Sequence, residues 1–248
     1  MALKDKIAVV TGGASGIGRA ICLRLAREGC NIGIWDRDIS AAHRVGAEVG
    51  ELGRRVLAVE VDVSSFSNVE RAADRVHREL GKVSILVNDA GFGEIVAVAQ
   101  MSEAQWDKMI AVHLKGTFNC TRHLVQDMID ARWGRIVSIS SVAGLRGAAG
   151  FVHYSAAKAG IAGFSKALAL ELGSSGVTVN AIAPGLIETP ILKGSALRDE
   201  TIAAMVRHTP VGRIGAPEDI AACCAYMVAE EASFLTGQVL SPNGGIYS

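Results

Sequence analysis

The chain has 248 residues, half of them hydrophobic and a twentieth aromatic, with 28 glycines and 5 prolines. That length suits one large α/β domain with a sizeable core, and the profile excludes a collagenous, disordered or disulfide-framed chain. Lys plus Arg and Asp plus Glu are equal at 25 each, so no net field points to nucleic acid or an anionic membrane as partner.

The start, MALKDKIAVVTGG, carries Lys4, Asp5 and Lys6 and then only a short apolar run, unlike a secretory leader. No stretch reaches the roughly eighteen apolar residues a membrane span needs. The five cysteines, Cys22, Cys30, Cys120, Cys223 and Cys224, form no C-x-x-C pair, which suggests neither a disulfide framework nor a metal site and fits a reducing cytoplasm. A soluble, cytoplasmic protein is expected.

Short aliphatic runs alternate with helix-period segments from end to end, the pattern of βαβ units feeding a parallel sheet. Strands are expected at KIAVVTG, NIGIWD, RVLAVEVDV, VSILVNDAG, GRIVSISS, VTVNAIAPG and around GQVLSPN. Several are apolar on both faces, as in strands covered by helices above and below. The expected fold is a Rossmann-like, doubly wound α/β domain spanning 1–248, with seven parallel strands and no internal boundary.

TGGASGIG, residues 11–18, follows the first strand and opens the first helix. Gly12, Gly16 and Gly18, with Ser15 and Ile17 between them, supply a tight turn, close backbone approach to a pyrophosphate and intimate helix packing. Asp36 ends the second strand 18 positions after Gly18, where a carboxylate accepts hydrogen bonds from ribose hydroxyls and repels a 2′-phosphate. NAD is therefore preferred over NADP. Arg37 would pair with a 2′-phosphate and keeps NADP open, while Ser15, where a basic residue would help hold that phosphate, argues against it.

Further along, Tyr154 and Lys158 stand four apart in HYSAAKAG, which places them on one helical face about one turn apart. By itself that spacing more often marks a solvated helix surface than an active site. The least regular stretch, about 185–216, lies between a strand and the helix that begins near Pro217, where a substrate-covering segment would sit.

Together these motifs resemble the short-chain dehydrogenase/reductase family, in its single-domain branch of about 250 residues. The resemblance covers essentially the whole chain. It rests on TGGASGIG, Asp62-Val63 after strand three, NDAG after strand four, Ser141 in SISSVAG, Tyr154, Lys158, PGLIETP after strand six and TGQVLSPNGG near the end. It implies that Tyr154 is the acid/base, that Ser141 holds the substrate oxygen, and that Lys158 binds the nicotinamide ribose while acidifying the tyrosine. An ammonium ~4 Å from the phenol at an effective dielectric of ~20 would be worth roughly 4 kcal/mol, or about three pH units.

The resemblance also implies that Asp62 and Val63 flank the adenine. Asn88, Ala90 and Gly91 would line the ribose region, Ile187 and Thr189 would contact the carboxamide, and Pro184 and Gly185 would shape the turn that presents them. Ser138 and Ser140 are expected to satisfy backbone groups or face the core. Two positions depart from the family pattern. His113 stands where an asparagine helps hold a proton-relaying water, so it would keep that relay, reroute it or simply pack. Asp89 replaces the second asparagine of the usual pair and loses an amide donor.

The expected reaction is reversible hydride transfer between NAD and a carbonyl or secondary alcohol, the activity of an alcohol dehydrogenase or ketone reductase. The substrate would be a hydrophobic small molecule, cyclic or aryl-bearing, chosen by Ala143, Leu145, Phe151, His153 and the 185–216 segment. The alternative is a 3-oxoacyl thioester on a carrier protein. Reductases of that kind generally use NADPH and a basic docking patch, to which Arg132 would belong. A catalytically silent dinucleotide sensor is a third reading. The resemblance further implies a homotetramer built through the Ala/Gly-rich helix after Ser155 and through LTGQVLSPNGG.

Overall fold

A computed structural model of the chain describes residues 3–189 and 199–247. One sheet is built from β1 (Ile7–Thr11), β2 (Asn31–Asp36), β3 (Val56–Glu60), β4 (Ile85–Asn88), β5 (Gly134–Ile139), β6 (Val177–Ile182) and β7 (Val239–Leu240). The spatial order is β3-β2-β1-β4-β5-β6-β7, and every neighbouring pair is parallel. Parallel neighbours need crossovers, and helices supply them. These are α1 (Gly16–Arg27), α2 (Ile39–Glu51), α3 (Phe66–Glu79), α4 (Glu103–Ile110), α5 (Gly116–Ala131), α6 (Val142–Arg146), α7 (Val152–Leu172), α8 (Asp199–Arg207) and α9 (Pro217–Val228). A π-helical turn, Ala111–Lys115, joins α4 to α5.

Strand periodicity divides the core in two. Ala8 and Val10 of β1 face a layer with Ile21 and Leu25 of α1 and Ile220 and Met227 of α9. Val9, between them, faces the opposite layer with Val69 and Val76 of α3 and Leu124 and Met128 of α5. All five residues of β1 are buried, so the strand reads as an unbroken apolar run, as expected where helices cover both faces. Each large aliphatic side chain so enclosed contributes about 1.5–3 kcal/mol of transfer free energy.

Helix starts follow local chemistry. Asp38 accepts from the Ala41 amide at 2.9 Å to cap α2, Ser102 and Gln105 form a reciprocal capping box on α4, and Pro217 opens α9. All seven expected strands form. The last one shrinks to two residues at the sheet edge, because Gly237 turns the chain at φ +70° and Pro242, which has no amide to donate, follows closely.

Strand order reverses between β1 and β4, and there the crossovers leave in opposite directions and open a crevice at the carboxyl ends of the strands. Thr11 closes its floor, its Oγ1 accepting from the amides of both Asp89 and Ala90 at 3.0 Å. Of the expected covering segment, residues 190–198 lie outside the described residues. The remainder includes α8 and a short parallel bridge in which Glu188 donates its amide to the Gly215 carbonyl at 2.8 Å.

Candidate active site

The crevice is a cavity of about 600 Å³ that runs from the glycine turn to α6 and α8. Gly12 adopts φ +68°, and a Cβ there would stand 2.9 Å from the Ala90 Cα. Gly18 lies beneath it, where a Cβ would be 2.2 Å from the Gly12 carbonyl oxygen. Gly18 therefore permits the turn from behind and does not line the cavity, whereas Gly12, Ser15, Gly16 and Ile17 do. Ser15 caps α1 through its backbone while its side chain makes no capping bond; the Gly18 amide faces Asp89, and among the described residues the Gly16 and Ile17 amides have no protein acceptor, as an anion requires.

Asp36 reaches back across this turn. Its Oδ2 accepts from the Ala14 amide and its Oδ1 from the Asp38 amide, each at 3.0 Å. Asp62 is fixed by Ser64, whose amide and hydroxyl donate to Oδ1 at 3.0 and 2.7 Å. The Ser64 hydroxyl holds the Asp62 carboxyl below its usual range. Val63, Ala90, Gly91, Pro184, Gly185, Ile187 and Thr189 all contribute to the wall. Backbone fit, free amides and a carboxylate at the ribose corner suit a dinucleotide.

Asn88 is buried behind the wall, its Nδ2 donating to Ser138 Oγ at 3.3 Å and to Thr121 Oγ1 at 3.5 Å. As the last residue of β4, its side chain falls on the α5 side of the sheet and ties β4 to β5, so only its backbone is placed to meet the ribose region. Asp89, the neighbouring residue, meets the cavity instead. Its carboxylate is enclosed beside the Gly18 amide, and burial raises it against the opposing pull of Lys158 and of that amide.

Ser141, Tyr154 and Lys158 converge at the other end. Ser141 ends β5 and caps α6, its Oγ accepting from the Ala143 amide at 3.1 Å. Lys158 is enclosed in α7, its Nζ donating to the Ile139 carbonyl at 2.6 Å, while Ser140 Oγ donates to the Lys158 carbonyl at 2.7 Å. The ammonium lies 5.6 Å from the centre of the Tyr154 ring. Burial pushes the Tyr154 phenol above its ordinary value, and a hydrogen bond with Ser141 draws it partly back. Burial also lowers Lys158, with Asp89 opposing. Desolvation of the phenolate is thus the largest influence on Tyr154, and the Lys158 ammonium is turned toward Ile139.

His113 sits on the π-helical turn, a rare local geometry frequent at functional sites. Its ring stands edge-on to Tyr154 at 5.4 Å between centres. Nε2 lies 3.1 Å from the Phe92 amide and 2.9 Å from the Phe92 carbonyl, and the carbonyl of His113 accepts from Thr117 Oγ1 at 2.8 Å. Burial and the Lys158 charge hold the imidazole well below its ordinary value, so it is neutral at pH 7. Of the three roles open to it in the sequence, this geometry fits packing and holding the 91–93 backbone.

A family model described as short chain dehydrogenase matches residues 6–200. The chain belongs to the short chain dehydrogenases. It is thereby an oxidoreductase of CH–OH and C=O groups that works with a nicotinamide dinucleotide. Among similar proteins, an acetoacetyl-CoA reductase of Cupriavidus necator is 41% identical over 99% of this chain and 99% of its own. A 3-oxoacyl-[acyl-carrier-protein] reductase, FabG, of Chlamydia muridarum is 40% identical over 98% of each chain. The (2S)-[(R)-hydroxy(phenyl)methyl]succinyl-CoA dehydrogenase subunit BbsD of Thauera aromatica is 39% identical over 99% of this chain and 98% of its own.

In this short chain dehydrogenase the substrate end of the cavity contains Ala143 and Phe151 as expected, but His153 is wholly buried and Leu145 does not reach the wall. Phe92, Ile95, Arg146, Leu186 and Met205 line it instead. Sequence spacing carried no sign of Phe92 and Ile95, which reach the site through an irregular loop. Arg146 was within reach of such reasoning, lying five residues beyond Ser141. Arg132 caps α5 at φ +49° and donates to the Ser174 carbonyl at 3.1 Å. It precedes the amino end of β5, on the far side of the sheet from the cavity.

Proposed function

We propose that the chain interconverts 3-oxoacyl and 3-hydroxyacyl thioesters with NAD(H) as cofactor. The observation that carries this reading is the nearly full-length likeness to three proteins whose names all describe acyl thioesters bearing an oxo or hydroxyl group. Ser141 and Tyr154, hydrogen-bonded to each other, offer two hydroxyls to one carbonyl oxygen, and the walls exclude water through Phe92, Ile95 and Phe151. Reduced nicotinamide, when bound, supplies the hydride. Tyr154 gives its proton to the oxygen as negative charge develops there, and a phenol kept protonated by burial is suited to that direction. Lys158 orients the ribose and, as a buried ammonium close to the ring, stabilises the phenolate left once that proton has gone.

NAD(H) is supported by Asp36, whose carboxylate occupies the ribose corner and is held there by two backbone amides. Arg37 lines the same corner and represents the opposing pull toward a 2′-phosphate. Catalytic assignment of Ser141, Tyr154 and Lys158 is supported by their convergence, and a homotetramer by the outer face of α7, which leaves Val152, Gly163 and Leu170 exposed.

Initial rates with acetoacetyl-CoA, paired in turn with NADH and NADPH, test the reading. Turnover with NADH at the higher kcat/KM is expected, and Tyr154→Phe should abolish it while the dinucleotide still binds. Faster turnover of simple aryl or cyclic ketones than of any thioester would favour the second reading, which the apolar walls support. Absence of turnover with every carbonyl would leave a sensor.

A further inference from the structure

Among the described residues six charged side chains line the cavity: Asp36, Arg37, Asp62, Asp89, Lys158 and Arg146. The first four belong to the dinucleotide half or its floor, and Lys158 is enclosed against Ile139. Among the described residues Arg146 alone stands on the substrate half, in a wall shared with Ala143, Phe151 and Ile95. It is exposed, and among the described residues no carboxylate lies within ion-pair distance of it. Glu94, on the 92–97 loop, is turned to Gln105 at 2.6 Å and to His153 at 3.9 Å.

The backbone that carries Arg146 is fixed. Gly147 donates to the Ala143 carbonyl at 3.0 Å and ends α6 at φ +78°. A Cβ on Gly144 would fall 2.7 Å from the Lys158 carbonyl carbon, so α6 lies hard against α7. Beyond it, Val96 donates to the Gly150 carbonyl at 2.9 Å, which ties the facing loop to the same wall. The backbone from which the Arg146 guanidinium extends is thus fixed relative to Ser141 and α7, and among the described residues that guanidinium has no carboxylate partner.

We propose that Arg146 forms an anion subsite that selects acyl substrates carrying, besides the reacting carbonyl, a free carboxylate within about 10 Å of it. Five residues of helix place the two Cα atoms about 8 Å apart, and the arginine stem extends that reach toward the groove. A carrier phosphate is too distant for this subsite, since an extended pantetheine arm holds it on the order of 16 Å beyond the sulfur. A guanidinium takes a carboxylate through two parallel hydrogen bonds, which gives direction as well as charge. The proposal rests on the thioester reading for its substrate class only.

The test compares two six-carbon 3-oxoacyl-CoA thioesters, one ending in a methyl group and one in a carboxylate, in the intact protein and in Arg146→Gln and Arg146→Lys. The ratio of kcat/KM for the charged over the neutral substrate should fall roughly ten- to a hundred-fold in Arg146→Gln, chiefly through KM, and recover in part in Arg146→Lys. A ratio that moves less than about twofold overturns the subsite. So does a result in which Arg146→Gln erases discrimination between CoA and N-acetylcysteamine thioesters while leaving the carboxylate ratio alone, which assigns the arginine to the carrier. The same comparison with a plain ketone and the keto acid of equal length separates the two proposals. Turnover of these without any thioester turnover refutes the thioester reading while the ratio still reads Arg146, and no charge-dependent difference in either pair refutes the subsite.

Discussion

Replacing Asp89 with asparagine should stabilise the protein, and the gain should depend on pH in a defined direction. Burial lifts this carboxyl from 3.8 to about 7. Below pH 4 the residue is protonated in both folded and unfolded chains and costs nothing. Between the two values the folded state retains a proton that the unfolded state has lost, so stability falls as pH rises, and above the folded value the penalty is complete. At about 1.4 kcal/mol per unit its ceiling is about 4 kcal/mol. Asp89→Asn also removes the charge that opposes the desolvation of Lys158, which leaves a net gain of about 1–3 kcal/mol at pH 8. For a chain of this size that raises the melting midpoint by roughly 3–10 °C. Calorimetry or denaturant unfolding at pH 5 and pH 8 measures it, and the advantage should be larger at pH 8. Equal midpoints at both pH values, or a less stable variant at pH 8, would refute the argument that this carboxylate is buried at a cost.

Gly18→Ala should lose dinucleotide binding in a fluorescence titration and about 1–3 kcal/mol of stability, because a Cβ 2.2 Å from the Gly12 carbonyl oxygen forces the turn apart. Asp36→Ser should lower the NADH over NADPH preference in kcat/KM by about tenfold or more, since it removes both a ribose acceptor and the like charge facing a 2′-phosphate. His113→Asn should cost about 2 kcal/mol in urea unfolding through the lost ring and the lost acceptor for the Phe92 amide. Its pH–rate profile should keep the parent's limbs, because His113 is neutral throughout. The buried imidazole of the parent also binds no proton where the unfolded chain does, so the parent should lose stability as pH falls below about 6.5, and His113→Asn should lose less.

Much of this was legible in the sequence for identifiable reasons. Strands buried on both faces appear as unbroken aliphatic runs, and the glycine turn betrays itself because each glycine answers a steric demand, as Gly12 and Gly18 do. Ser141, Tyr154 and Lys158 were singled out through the family resemblance, and a strand end and one helix face bring them to the same end of the cavity. The resemblance named Asn88 without saying which way its side chain points; alternation along β4 turns that side chain to Ser138 and leaves Asp89 at the cavity. The desolvation that raises the Tyr154 phenol was not legible, because a sequence gives the spacing of two charges and not the water they lose. Phe92, Ile95 and Met205 come from a loop and a helix whose approach depends on tertiary packing alone.

Lys158 is gripped by β5 at both ends of the residue, its ammonium by the Ile139 carbonyl and its own carbonyl by Ser140 Oγ. Sliding α7 along the sheet by even one residue would sever both links together, which makes the reacting wall a stationary anvil. Any motion that admits or releases a substrate must then be made on the opposite side of the crevice, in the loop after β4.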